Sequence, residues 1–100
     1  FIRTAANTGA EDDPNVDNIG VNKDIYDAYL EGYLSTATFL TELEKSLLPY
    51  GCKRMSFMQA VRFYIDYLNG DTYYKIAYPE HNLVRTKAQI RLFEEQRKCL

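Results

Sequence analysis

The sequence holds little of what most catalytic sites are built from. Its one histidine is His81, its two cysteines, Cys52 and Cys99, lie far apart, and its five glycines are scattered singly. Single glycines cannot form a phosphate-cradling loop, and the absence of CxxC or Cys/His spacing excludes the usual zinc pattern. Ser35, Ser46 and Ser56 lack a GxSxG context, so no serine nucleophile is indicated. Apolar runs are only a few residues long, which excludes a transmembrane helix, and the N-terminus carries no signal-peptide core. Unpaired cysteines with no signal core lead to the expectation of a reduced, cytoplasmic chain. A net charge of −2 argues against bulk nucleic-acid binding and against a basic membrane-surface role.

One hundred residues suffice for one small domain. The first residue is Phe1 rather than methionine, which leads to the expectation of an excised segment or a processed product. Charge is uneven: residues 1–32 carry seven acidic and two basic side chains, residues 75–100 three acidic and six basic. The basic end reads as a solvated helix face whose cations suit a helix C-terminus. The cluster Glu11/Asp12/Asp13 lacks the alternating ligand spacing of a calcium loop, so it reads as a solvated acidic loop, with no metal expected.

Local signals divide the chain into an acidic loop segment, 1–21, and a helical unit, 22–100. Residues 7–20 are polar and interrupted by Gly9, Pro14 and Gly20, as in a surface loop. Asn22 is placed to cap a helix over 22–34, with Ile25, Tyr26, Tyr29, Leu30 and Tyr33 on one side. Thr41 and Glu44 form a capping-box pattern for a short helix over 41–48, and Pro49 predicts a break near Leu48. A long helix is expected over 50–69, ended by Gly70. Its apolar residues form two stripes, Met58/Val61/Ile65/Leu68 and Phe57/Ala60/Tyr64/Tyr67, leaving Gln59, Arg62, Asp66 and Asn69 as a polar strip. Such a helix must be covered on most sides. After an extended connector at 71–81, a last helix is expected over 82–98, with His81–Asn82 at its start. The nine tyrosines read as half-buried packing residues. The pattern is all-α, with about four helices.

Residues Met55–Arg97, MSFMQAVRFYIDYLNGDTYYKIAYPEHNLVRTKAQIRLFEEQR, resemble the C-terminal end of the aminoglycoside-phosphotransferase-like superfamily. The similarity lies in the branch that includes N-acetylhexosamine kinases, some of them labelled mucin-desulfating sulfatase. FIRTAANTG at the start is similar to the segment just after that family's metal-binding aspartate. The resemblance implies a kinase-like C-terminal lobe, with the HxDxxxxN catalytic loop and metal aspartate belonging to the parent protein upstream. ATP and Mg²⁺ are thus implied for the parent, and no catalytic residue or cofactor site for this chain. Its implied partners are the rest of the kinase and a sugar.

Within RFYIDYLNGDTYY the resemblance implies that Arg62 and Tyr73 contact the acceptor sugar. Guanidinium donors suit hydroxyl and amide oxygens, and a tyrosine ring can cover a sugar face. The residues by themselves also fit a plainer arrangement, in which Arg62 pairs with Asp66 one turn on and Tyr73 is packed. Arg85 matches a recurrent arginine of the family's NLxR stretch, without an assigned duty. The two functional expectations are therefore an acceptor-site segment of a sugar kinase, inactive alone, and a free-standing helical interaction module. The doubly apolar helices also predict that the isolated chain associates with itself.

Overall fold

A computed structural model describes residues 2–100. The architecture is all-α: α1 (Ile2–Ala5), α2 (Lys23–Thr36), α3 (Glu42–Ser46), α4 (Leu48–Leu68) and α5 (His81–Cys99), with a single 3-10 turn at Val16–Asn18. Among the described residues there is no strand, and α1 is a short helix that the sequence pattern did not announce.

Helix boundaries follow local hydrogen-bonding chemistry. The Asn22 side chain accepts from the Ile25 N–H and starts α2. Thr41 and Glu44 complete a reciprocal capping box on α3. Pro49 does not interrupt a helix but opens one, because in the first turn its missing N–H has no carbonyl to meet. Leu47 is thus both the end of α3 and the cap of α4. α4 ends at Leu68 with Asn69 as its cap, and the chain turns at Gly70, whose φ of 87° suits glycine, followed by Asp71 at φ 61°.

The main packing is between the two long helices, α4 and α5, and it departs from the expected inside and outside of α4 at most positions, Ala60 excepted. Its inward face is Ser56, Ala60, Phe63 and Asp66, all buried. Val61, Ile65 and Leu68 of one apolar stripe are exposed, as are Phe57 and Tyr64 of the other. Small residues explain the choice: Ser56 and Ala60 on α4 and Ala88 on α5 allow close approach of the two backbones. Asp66, expected on the solvated strip, is instead 5% exposed. The inward face of α5 is likewise mostly polar, with Asn82, Thr86, Gln89 and Gln96 buried beside Ala88 and Leu92.

The acidic segment, expected as a surface loop, is docked. Ile19 is buried against Ala88 and Leu92. Arg3 donates from Nη1 to Gln89 Oε1 (2.6 Å) and pairs with Glu11 (3.3 Å). Asn7 and Val21 meet in an isolated antiparallel bridge. Gly9 is required in this turn, because a Cβ there would fall 2.9 Å from the Asn18 carbonyl oxygen. α2 rests mainly on α1. Of its expected apolar face Tyr26 is buried, whereas Tyr29 and Tyr33 border an open cleft of about 510 Å³ with Leu48 and Met55. The radius of gyration, 14.8 Å, exceeds the ~13 Å of a compact chain of this length.

Candidate functional site

The site forms at the C-terminal end of α4, where the chain leaves the helix and doubles back toward α5. Gly70 and Asp71 make the reversal, and the Asp71 N–H donates to the Asp66 carbonyl (2.8 Å). The carboxylate of Asp66 then collects the returning connector. It accepts from the Tyr73 N–H (2.8 Å), the Tyr74 N–H (3.0 Å) and Asn82 Nδ2 (2.7 Å). Asn82 Nδ2 also donates to Asp71 (3.0 Å), while its Oδ1 accepts from Arg85 (2.9 Å). Both terminal nitrogens of Arg85 donate to the Lys75 carbonyl at 3.1 Å. Asp66, Asp71, Asn82 and Arg85 therefore form one network, tying the connector to both long helices.

This geometry decides how the aromatic pair is presented. Tyr74 turns inward, packing on Phe63 at a ring separation of 4.9 Å, and its hydroxyl accepts from Gln59 (3.3 Å). Tyr73 turns outward; it stands edge-on to Tyr74 and is 82% exposed. The result is a cleft of about 580 Å³ lined by Arg62, Ile65, Asp66, Asn69, Thr72, Tyr73 and Tyr74. Arg62 and Tyr73, eleven positions apart in sequence, thus border the same cleft. The plainer pairing of Arg62 with Asp66 is not formed, since the acid faces the connector and not its helix neighbour. Among the described residues Arg62 makes no side-chain hydrogen bond or ion pair, and Tyr73 is not packed into a core.

A second linkage stiffens the start of α5. His81 is buried; its Nδ1 accepts from the Ala77 N–H (3.0 Å), which assigns the ring proton to Nε2. Nε2 then donates to Asp12 (2.8 Å) on the acidic segment. The helix-start position expected of His81 and Asn82 is met, with an added role in holding two chain segments.

The network sets the electrostatics of its two acids. Burial pushes the Asp66 carboxyl up, but donation from Tyr74, Tyr73, Asn82 and Thr72 outweighs it and leaves the group below its usual 3.8. The His81 hydrogen bond, only partly offset by burial, likewise lowers Asp12 from 3.8. A lowered folded-state value stabilises the fold above the unfolded value, and that stability is lost as pH falls through the folded value. Stability is therefore expected to drop below about pH 4, read as loss of amide protection at Tyr73 and Tyr74. Asp66→Ala should weaken the fold at pH 7 and make this acid-side decline shallower. An unchanged decline in urea titrations across pH 2–5 would assign the acid sensitivity elsewhere.

The carboxylates that converge here do not fit a magnesium ion. Asp66 and Asp71 share the Asn82 amide, and both Asp66 oxygens already accept N–H donors. Among the described residues no three His, Cys, Asp or Glu side chains assemble a metal-holding group. What the cleft offers is a guanidinium free to donate, an exposed aromatic ring, and the small polar side chains of Asn69 and Thr72. Such hydrogen-bond donors beside an exposed aromatic face are suited to a polar ligand. No model of a known protein family matches the chain.

Proposed function

We propose that this chain is the C-terminal helical part of an ATP-dependent small-molecule kinase, forming one wall of the acceptor site for a sugar, an N-acetylhexosamine or another hexose or amino sugar. The observation that supports the reading is the meeting of Arg62 and Tyr73 in one cleft, with the guanidinium uncommitted and the ring exposed. The two groups suit the two faces of a sugar. A tyrosine ring covers the apolar C–H face, while guanidinium donors reach hydroxyl or N-acetyl oxygens. The Asp66 network supports the arrangement from below, because it sets the backbone from which Tyr73 projects.

On this reading, the chain's contribution to phosphoryl transfer is to hold the acceptor so that its hydroxyl is presented in line. ATP, Mg²⁺ and the group that orients the nucleophile belong to other parts of the parent protein. The chain alone is then inactive, since it lacks the groups that stabilise the charged transition state. Supplied with ATP, Mg²⁺ and N-acetylglucosamine or N-acetylgalactosamine, the parent should release ADP and form a sugar phosphate. Purified residues 1–100 should form none. Sugar phosphorylation by the isolated chain, or a parent that phosphorylates no hexose or amino sugar, would overturn the proposal.

A further inference from the structure

The opposite end of the α4–α5 pair carries a second cleft of different character. It measures about 350 Å³ and is lined by Tyr50, Lys53 and Arg54 at the start of α4, Phe57 one turn on, and Phe93 and Arg97 near the end of α5. Its floor is aromatic. Phe57 and Phe93 lie 5.5 Å apart, tilted by 53°, and Tyr50 and Phe57 are 60% and 52% exposed. Its rim is cationic, with no acidic side chain in the lining.

The three cations stand apart from the other basic residues at this end of α5. Arg91 and Lys98 both pair with Glu95 at 3.3 Å. Among the described residues Lys53, Arg54 and Arg97 meet no carboxylate, and Arg97 lies over the Phe93 ring at 5.9 Å. In a chain of net charge −2, three uncompensated cations around exposed rings mark a place that favours an anion with a π face. Guanidinium groups bind phosphate oxygens in pairs, and exposed aromatic rings accept a base by stacking. The cleft also lies within the range of small-ligand sites, at its lower end.

We propose that this cleft is a binding site for a small aromatic anion of the nucleoside-diphosphate type. The base rests against Tyr50, Phe57 and Phe93, and the phosphates are held by Lys53, Arg54 and Arg97. The proposal is independent of the sugar reading, because it uses none of the residues of the Arg62 cleft and needs no catalysis.

Equilibrium dialysis of the 100-residue chain against ADP at low ionic strength tests it. Saturable, sub-millimolar binding at a single site is expected. Adenosine, which lacks the charge, and pyrophosphate, which lacks the ring, should each bind about tenfold more weakly. Arg97→Gln and Phe57→Ala should each weaken ADP about fivefold, with helicity unchanged by circular dichroism because both side chains are on the surface. Lys87→Gln removes the same charge from an exposed position outside the cleft and should leave binding unaltered. Three results would each overturn the assignment: no saturable binding, pyrophosphate as tight as ADP, or Lys87→Gln as damaging as Arg97→Gln.

Discussion

Sedimentation of the isolated chain at micromolar concentration is expected to show a dimer or larger species in place of an 11.6 kDa monomer. The reason is where its apolar side chains point. On α4, outside the two clefts, Val61, Tyr64 and Leu68 are exposed, with Leu68 at 64%. On and around α2 and α3, Ile25, Tyr29, Tyr33, Phe39, Leu43 and Leu47 are exposed as well, Phe39 at 75%. Soluble monomers rarely leave a contiguous apolar patch above a few hundred Å² in water. At ~25 cal/mol per Å², covering such a patch is favourable by several kcal/mol, and an interface of about 1,000 Å² in total is the usual minimum for stable association. Loss of translational and rotational freedom opposes this, so the affinity is expected to be moderate. On the proposed reading, the rest of the parent protein would cover the same faces. A compact monomer that binds no hydrophobic dye would contradict this, and would favour the free-standing interaction module.

Which parts of this architecture were legible in the sequence follows from the range of the forces involved. Asn22, Thr41 with Glu44, and Gly70 act on backbone groups within four residues, so the starts of α2 and α3 and the end of α4 can be read without tertiary knowledge. The all-α class follows from the same periodicity. The inward face of α4 could not be read in this way. Periodicity locates apolar stripes and takes them to be inside, whereas here the close approach is made by Ser56, Ala60 and Ala88, and the wide stripes are left outside. The docking of residues 7–20 was equally hidden. It rests on a few long-range anchors, Ile19 on Leu92 and Asp12 on His81, within a segment whose composition is that of a solvated loop.

The candidate site divides along the same line. Arg62 and Tyr73 were singled out by resemblance to the kinase family, and their common cleft is a matter of the connector's path. Asp66 read as a solvated helix residue or as a partner for Arg62. Its actual role needs the chain reversal at Gly70–Asp71 and the arrival of Asn82 from α5. The motif DYLNGD carries a trace of this, since an acid one turn before a helix-ending glycine is placed to receive the N–H groups of the returning chain.

Steady-state kinetics of the parent enzyme with Arg62→Ala test the central claim most directly. Arg62 makes no side-chain hydrogen bond or ion pair among the described residues, so its removal separates binding from stability better than any change in the Asp66 network. The sugar KM should rise, or kcat/KM for sugar fall, by more than about tenfold, equivalent to ~1.4 kcal/mol of transition-state stabilisation. The KM for ATP and the midpoint of urea unfolding should stay within experimental error. An unaltered sugar KM accompanied by lost stability would make Arg62 a structural residue and contradict the acceptor-site assignment.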